Sequence, residues 1–327
     1  MDGGAGKVLL AGIDEAGLGP VLGPLVVSAA AFWAPAEVVG TSMWSLLSGA
    51  VCRRPGRKRT RIAIGDSKKL YAAKGKDGLS HLERGVLAML GAAGHRPTTL
   101  GELLDCVSPA AGGHMAGYPW YGPPGLTLPQ AIGPDDLRLS THALSAAMGR
   151  RGIEPATLRA ETVFEGEFNR IIASTDNKSV MLFGVTSRLL MMLWDLAGGD
   201  LEVHVDRQGG RVRYLRALQQ AFEGARFKVI DENDLVSEYR MEHRGRRARL
   251  VFAVGAEDRQ LPVALASMAS KYLRELYMKL LNRYWVAQVA DLAPTAGYYT
   301  DGRRFYRQIQ PAVERLGFDH RQIYRTR

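Results

Sequence analysis

Residues 8–27 read VLLAGIDEAGLGPVLGPLVV, and this stretch decides the fold. Residues 8–13 form one continuous apolar run, and residues 25–33 form a second apolar run. A glycine- and proline-rich loop, residues 17–24, joins the two runs. Short apolar runs bounded by such residues are typical of central β-strands, so the sequence predicts a buried β-hairpin here.

Two adjacent carboxylates, Asp14 and Glu15, end the first apolar run. In a regular strand they would point to opposite faces, but the glycine turn that follows breaks the alternation and lets both reach one site. Buried acids are costly without compensation, and a cation is their natural partner. Solvated acids at a strand end are the simpler alternative. A dinucleotide-binding turn is disfavoured, because the glycine spacing is wrong and the acids would repel a pyrophosphate.

The composition favours a basic protein with a polyanionic partner. The chain has 327 residues, enough for one large domain with an insertion or for two domains. Its net charge is +10, which favours nucleic acid or an anionic membrane surface, although many basic proteins bind neither. A basic loop at residues 53–61 and a basic hairpin at residues 244–249 are candidate phosphate contacts; a merely solvated surface explains each about as well.

Cysteine usage and hydropathy point to the cytoplasm. Cys52 and Cys106 have no metal-ligand spacing, which disfavours a zinc site or a disulfide framework. The N-terminus lacks the pattern of a signal peptide. The most apolar stretch, residues 21–39, is interrupted by two prolines and a glutamate, whereas a spanning helix needs ~20 apolar residues. We therefore expect no membrane partner.

The rest of the chain alternates between strand and helix patterns, which is typical of the α/β class. Residues 97–155 are rich in glycine, proline and aromatic residues, without a clear period, and predict an inserted loop or small subdomain. The predicted strands are residues 158–163, 201–205, 226–230, 235–243 and 247–254, and the predicted helices are residues 79–90, 179–196, 212–222 and 261–290.

Residues 12–27 resemble the opening of the ribonuclease HII family, in which a GIDEAG block precedes a Gly-Arg-Gly or Gly-Lys-Gly triplet and an apolar strand. Weaker blocks follow in the family's order. Residues 65–70 (GDSKKL) resemble its DSKKL segment, and residues 203–207 (VHVDR) resemble the strand that ends in its third catalytic acid. Residues 266–275 (ASMASKYLRE) are similar to its Ala-Ser-Ile helix, and residues 296–301 (AGYYTD) to its Gly-Tyr-Gly-Thr segment.

The resemblance implies a metal-dependent endonuclease that hydrolyses the RNA strand of RNA–DNA hybrids and leaves 5′-phosphate and 3′-hydroxyl ends. The implied architecture is the ribonuclease H-like fold, a five-stranded mixed sheet flanked by helices, with a C-terminal helical extension. Residues 1–290 would form the catalytic domain, with its insertion at about 97–155, and residues 291–327 would clamp the substrate. The chain would be a divergent, cytoplasmic member of the family, acting as a monomer.

The family's functional positions map onto this chain as follows. Glu257, with Asp258 beside it, falls where the family has an Asp ten residues before the helix serine. The resemblance implies that four acids catalyse the reaction and bind two Mn²⁺ or Mg²⁺ ions: Asp14, Glu15, Asp206 and Glu275. It implies substrate contacts by Gly17, Leu18, Gly19, Lys68, Lys69, Ser267, Lys271 and Tyr298, with Tyr299 as second candidate for the tyrosine.

Two substitutions depart from the family pattern. Leu18 replaces an Arg or Lys, so the cation that would pair with a phosphate is lost. Glu275 replaces an Asp, and the extra methylene moves the carboxylate by ~1 Å, which favours Mn²⁺ or weak catalysis because Mg²⁺ demands near-ideal geometry. The alternatives are therefore a catalytically weak or inactive nucleic-acid-binding protein of the same fold, and a nuclease acting on structured DNA.

Overall fold

The computed structural model describes residues 6–56, 60–71, 77–123 and 125–326. Each strand and helix predicted from the sequence is present, with ends within four residues of those predicted, and further short strands and helices lie between them. The strands are β1 (Lys7–Ala16), β2 (Leu25–Pro35), β3 (Val51–Cys52), β4 (Ile62–Ala63), β5 (Glu154–Val163), β6 (Leu201–Asp206), β7 (Arg226–Glu232), β8 (Val236–His243) and β9 (Arg246–Ala253).

One large mixed sheet organises the molecule, with strand order β5-β2-β1-β6-β9-β8-β7. Strand β1 pairs antiparallel with β2 and parallel with β6, and β9 pairs parallel with β6. With β5, these strands form the mixed five-stranded sheet that the family resemblance implies. The sheet as a whole has seven strands rather than five, because β8 pairs antiparallel with β9 and β7 pairs with β8, which extends that edge by a hairpin.

Helices cover both faces of the sheet, and the mixed α/β class is confirmed. Short 3₁₀ helices lie at Ala36–Val38, Pro119–Tyr121, Ala256–Asp258 and His320–Gln322. The α-helices are α1 (Met43–Leu46), α2 (Ser67–Tyr71), α3 (Asp77–Ala92), α4 (Leu100–Val107), α5 (Pro109–Met115), α6 (Pro134–Gly149), α7 (Glu165–Thr175), α8 (Lys178–Ala197), α9 (Leu215–Ala221), α10 (Leu261–Gln288) and α11 (Tyr299–Arg315).

Helix α10 crosses the sheet directly over β1, and a glycine makes this possible. A Cβ atom at Gly12 would lie 2.1 Å from the backbone nitrogen of Val263, in the first turn of α10. Only a residue without a side chain permits so close an approach between helix and strand. The contact brings the next turn of α10, with Ser267, against the end of β1, where Asp14 stands.

Helix α8 packs on the opposite face of the sheet. Asn177 caps its first turn by accepting hydrogen bonds from the amides of Ser179 and Val180 at 2.8 and 3.2 Å, and it ends at Gly198 with φ +60°. By length and composition alone this helix is apolar enough to cross a membrane. Ten of its residues are buried, among them Leu189 and Leu193 in the core against β1 and β6.

The insertion at residues 97–155 contains three helices, α4 to α6, although this segment shows no clear hydrophobic period. A buried carboxylate, Glu83 of α3, holds it to the sheet layer by accepting hydrogen bonds from the amides of Gln130, Ala131 and Ile132 at 2.6, 2.6 and 3.1 Å. The hydroxyl of Tyr272 on α10 donates to the same carboxylate at 2.8 Å. The aromatic residues of the insertion pack into the main hydrophobic core. Helix α11, near the C-terminus, packs into the same core.

Candidate active site

Four carboxylates gather where three parallel strands end. Asp14 and Glu15 stand at the end of β1, and Asp206 is the last residue of β6. Glu257 lies in the 3₁₀ helix that follows β9. The amide of Ala256, its neighbour, donates a 3.0 Å hydrogen bond to Asp206 Oδ1. Because β1, β6 and β9 are parallel, their carboxyl ends meet at one edge of the sheet, the usual place for a site in such folds.

The electrostatics show that these acids share one environment. Burial, followed by the charges of Glu15 and Asp206, raises the pKa of Asp14 well above its usual value. Burial and the charge of Asp206 raise the pKa of Glu15 to about 7, which Lys68 partly offsets. Burial and Asp206 also raise the pKa of Glu257 to about 7. Asp206 is therefore the charge that the other three acids have in common.

The donor set fits a hard divalent cation by its chemistry. Carboxylate oxygens are the ligands that Mg²⁺ and Mn²⁺ prefer, and like-charged buried acids lack their natural compensation. One oxygen of Glu257, Oε2, is buried without a hydrogen-bond partner. Within the part of the chain that the structure describes, however, no group of three or more His, Cys, Asp or Glu side chains is already arranged to bind a metal ion. Asp206 interacts electrostatically with each of the other three acids.

Glu275, the fourth acid that the sequence comparison favours, makes different contacts. Lys271 Nζ donates to its Oε1 at 2.5 Å, and the hydroxyl of Tyr71 donates to its Oε2 at 2.7 Å. Eight residues separate it from Ser267, which hydrogen-bonds the Asp14 carboxylate, so it lies ~12 Å further along the helix axis. The structure thus joins Glu257, rather than Glu275, to the other three acids. The sequence did mark Glu257 by its spacing.

The glycine turn after β1 is open on its outer side. Gly17 has φ +95°, and a Cβ there would lie 2.5 Å from the carbonyl oxygen of Pro24. A Cβ at Gly19, by contrast, would meet no atom within 4 Å. The side chain of Leu18, between them, is half-buried and packs against the core beneath the sheet. The turn therefore presents backbone, rather than a side chain, at the surface next to the acids.

Of the two lysines, Lys68 lies nearer to the acids, since its charge acts on Glu15. Lys69 is exposed and pairs with Asp66 at 2.9 Å and with Asp258 at 3.6 Å. Neither lysine is buried, so both have room for a phosphate contact.

Ser267 and Lys271 act within the protein instead of at its surface. The Ser267 hydroxyl lies 2.9 Å from that of Ser67, and it also bonds Asp14, so it orients the acid. Lys271 is buried in its ion pair with Glu275. Tyr298 is 53% exposed at the rim of the turn, with the Arg274 guanidinium 5.7 Å from its ring centre, and is free to stack on a substrate.

The two basic clusters lie at different ends of the sheet. Arg53 and Arg54 line a cleft of about 630 Å³ together with Lys69 and Glu257, so this cluster adjoins the acids. Residues 57–59 of the same loop lie outside the described residues. The hairpin arginines stand at the start of β9, seven steps of ~3.3 Å from the site. Arg247 pairs with Asp200 at 3.2 Å, and Arg249 with Glu238 at 2.9 Å.

Comparison with known proteins gave matches among solved structures alone. No protein-family model and no curated protein matches this chain. The ribonuclease HII of Archaeoglobus fulgidus, solved with PCNA, is 15% identical, with a TM-score of 0.42 over 98% of this chain and 94% of that one. The ribonuclease H2 of Pyrococcus horikoshii is 14% identical, with a TM-score of 0.43 over 96% and 92%. Bst-RNase HIII, solved with Mn²⁺, is 14% identical, with a TM-score of 0.46 over 98% and 66%.

Proposed function

We propose that this chain is a metal-dependent endonuclease of the ribonuclease HII family that cuts the RNA strand of RNA–DNA hybrids. The observation that carries the proposal is the group of acids Asp14, Glu15, Asp206 and Glu257 at the ends of three parallel strands, beside an open glycine turn. A dinucleotide site would not place four acids at this edge. The products would carry 5′-phosphate and 3′-hydroxyl ends.

Some groups of the protein would orient the acids, and others would bind the substrate. Divalent ions held by the acids would activate water and stabilise the leaving oxygen. Ser267 holds the carboxylate of Asp14, and the amide of Ala256 holds that of Asp206, so both acids are oriented before substrate binds. Lys68 would contact a phosphate, the backbone of the glycine turn would read the ribose hydroxyl, and Tyr298 would stack on the sugar beside the scissile bond.

The direct test is cleavage of a labelled RNA–DNA hybrid by the purified chain in Mg²⁺ and in Mn²⁺. We expect metal-dependent cuts in the RNA strand, suppressed by EDTA, and no cleavage of a DNA duplex of the same sequence. Binding without cleavage in either metal would identify a nucleic-acid-binding protein that has lost catalysis, a role compatible with the lack of a preformed three-ligand group among the described residues. Faster cleavage of an all-DNA junction would identify a nuclease for structured DNA.

We predict that the arginines of the cleft, Arg53 and Arg54, contact the substrate, and that the arginines of the hairpin at residues 244–249 do not. Arg54→Gln should weaken hybrid binding and flatten the slope of log affinity against log salt by ~0.9 for one lost phosphate contact. Arg247→Gln, the matched control, should leave the slope unchanged, because this arginine pairs with Asp200 far from the acids. Titrations by fluorescence anisotropy at several salt concentrations measure both slopes. Equal slopes for Arg54→Gln and the unmodified protein would exclude the cleft.

Leu18 predicts a limit on substrate choice. Continuous hybrids offer many productive registers, so we expect them to be cut well, whereas one ribonucleotide embedded in DNA should be cut poorly without the phosphate-pairing cation. Leu18→Arg should improve the second substrate more than the first. A charge-assisted hydrogen bond contributes roughly 1.5–3 kcal/mol, which corresponds to about tenfold or more in rate. If the unmodified protein already cuts both substrates equally fast, Leu18 is not limiting.

A further inference from the structure

The geometry points to Arg325, in the C-terminal tail, as the residue that positions the glycine turn for substrate recognition. Its guanidinium is buried directly behind the turn, with 1% of the residue exposed. Nη1 donates to the carbonyl oxygens of Gly17 and Gly23 at 2.6 and 3.1 Å, and Nη2 donates to that of Leu18 at 2.9 Å. One side chain thus binds three carbonyls of a single loop, 302 to 308 residues away in sequence.

The tail that carries Arg325 is itself fixed. The amide of Arg325 donates to the carbonyl of Val21 at 2.9 Å, so the tail is bonded to the turn by its backbone as well. The guanidinium lies 3.8 Å from the ring centre of Phe168. Next to it, the amide of Thr326 donates to Asn169 Oδ1 at 2.8 Å. Asn169 Nδ2 in turn donates to the carbonyl of Tyr324 at 2.8 Å, so Asn169 binds the backbone on both sides of Arg325.

The consequence for the turn follows from the peptide bond. In a planar trans peptide the carbonyl and the following amide point in opposite directions. Because Arg325 holds the carbonyls of Gly17 and Leu18 toward the interior, the amides of Leu18 and Gly19 must face the other way, toward the open side at Gly19. Amides fixed in this way are donors ready for an incoming hydroxyl, without the cost of ordering the loop on binding.

The Arg325 guanidinium lies near a buried carboxylate, that of Glu165. Burial lowers the pKa of Arg325 to about 9, and the buried carboxylate of Glu165 opposes that shift, so the guanidinium stays charged at neutral pH. The other buried arginine here, Arg274, packs against Gly17, where a Cβ atom would lie 2.8 Å from its Cδ and Nε atoms. Its hydrogen bonds, however, go to the carbonyls of Leu22 and Ala296, in the later part of the loop and beyond it.

The inference rests on the proposed function for its substrate, but its structural part can be tested separately. Arg325→Met should increase amide hydrogen exchange in residues 17–23 by about tenfold or more, measured without substrate, because the carbonyl contacts are lost. Arg315→Gln, which removes one charge from the exposed end of α11, is the matched control and should leave the exchange unchanged. Unchanged exchange in Arg325→Met would overturn the inference.

Kinetics then test the consequence. Arg325→Met should cut hybrids about tenfold more slowly, mainly through kcat, and should discriminate less against a DNA duplex. Added guanidinium ion should restore part of the rate, a rescue that general loss of stability would not show. Should Arg325→Met fail to fold, Arg325→Lys, which keeps the charge, decides by the same readouts. If the unmodified protein cuts no hybrid, the proposed function fails, while the exchange result still decides the role of Arg325.

Discussion

Asp206→Asn is expected to abolish cleavage of the RNA strand while leaving the fold intact, and Asp14→Asn should do the same. Asp206 is the charge common to the other three acids, so its loss removes the centre of the proposed metal site. Loss of about 4 kcal/mol of transition-state stabilisation corresponds to roughly 10³-fold in rate. Asn keeps the oxygen that accepts the amide of Ala256, so the loop after β9 stays anchored.

Stability provides an independent readout of the same variants. Burial raises the pKa values of Glu15 and Glu257 from the ordinary 4.5 to about 7, so the folded state holds these protons more tightly than the unfolded state does. The metal-free protein should therefore lose stability as the pH rises from about 4.5 to about 7. Asp206→Asn removes part of the repulsion and should melt a few degrees higher at neutral pH, with a smaller difference in acid.

The control for these measurements is Asp195→Asn, which neutralises an exposed acid on α8. It should change neither the rate nor the pH dependence of melting. Mg²⁺ or Mn²⁺ should raise the melting temperature of the unmodified protein more than that of Asp206→Asn, because only the former retains the full set of ligands. A fully active Asp206→Asn or Asp14→Asn would rule out the proposed mechanism.

The sequence predicted the part of the site that lies in one continuous segment. The apolar runs that form β1 and β2, the glycine turn between them and the acids at its start are all local, and local hydrophobic patterns are enough to identify them. Asp206 also ends an apolar run, but a strand that ends in Asp is common, and it was the resemblance to the ribonuclease HII family that singled it out. Local patterns, with the family resemblance, therefore predicted the central strands, the turn between them and three of the four acids that the structure brings together.

The rest depends on how distant segments pair, which local patterns do not contain. That Glu257 comes next to Asp206 follows from the parallel pairing of β9 with β6. The resemblance of residues 266–275 to a family helix favoured Glu275. In the structure Lys271 and Glu275 pair with each other, and it is Ser267, eight residues earlier on the helix, that bonds Asp14. Arg325 meets the turn from about 300 residues away, and no motif marks it. Strands β7 and β8, which widen the sheet, were predicted as strands, but their position at the edge of the sheet was not predicted.

The choice between Glu257 and Glu275 as fourth acid leads to opposite expectations for two matched variants. Glu257→Gln should slow cleavage by roughly 10²-fold or more, since a neutral amide holds a divalent ion far less well than a carboxylate does. Its fold should persist, because Glu257 is only partly buried and one of its carboxylate oxygens, Oε2, has no hydrogen-bond partner. Melting should even improve slightly at neutral pH, as one of the repelling charges is removed.

Glu275→Gln should behave in the reverse way. It leaves Lys271 buried without a charged partner, which should cost about 1–3 kcal/mol of unfolding free energy. The rate of cleavage by the folded enzyme should fall no more than a few fold. This small effect would come from the changed contacts of Tyr71 and Arg274, which both interact with Glu275. Rates at saturating Mn²⁺ and melting temperatures of both variants test this directly. A dead Glu275→Gln beside an active Glu257→Gln would return the fourth acid to α10 and overturn the assignment made from the strand ends.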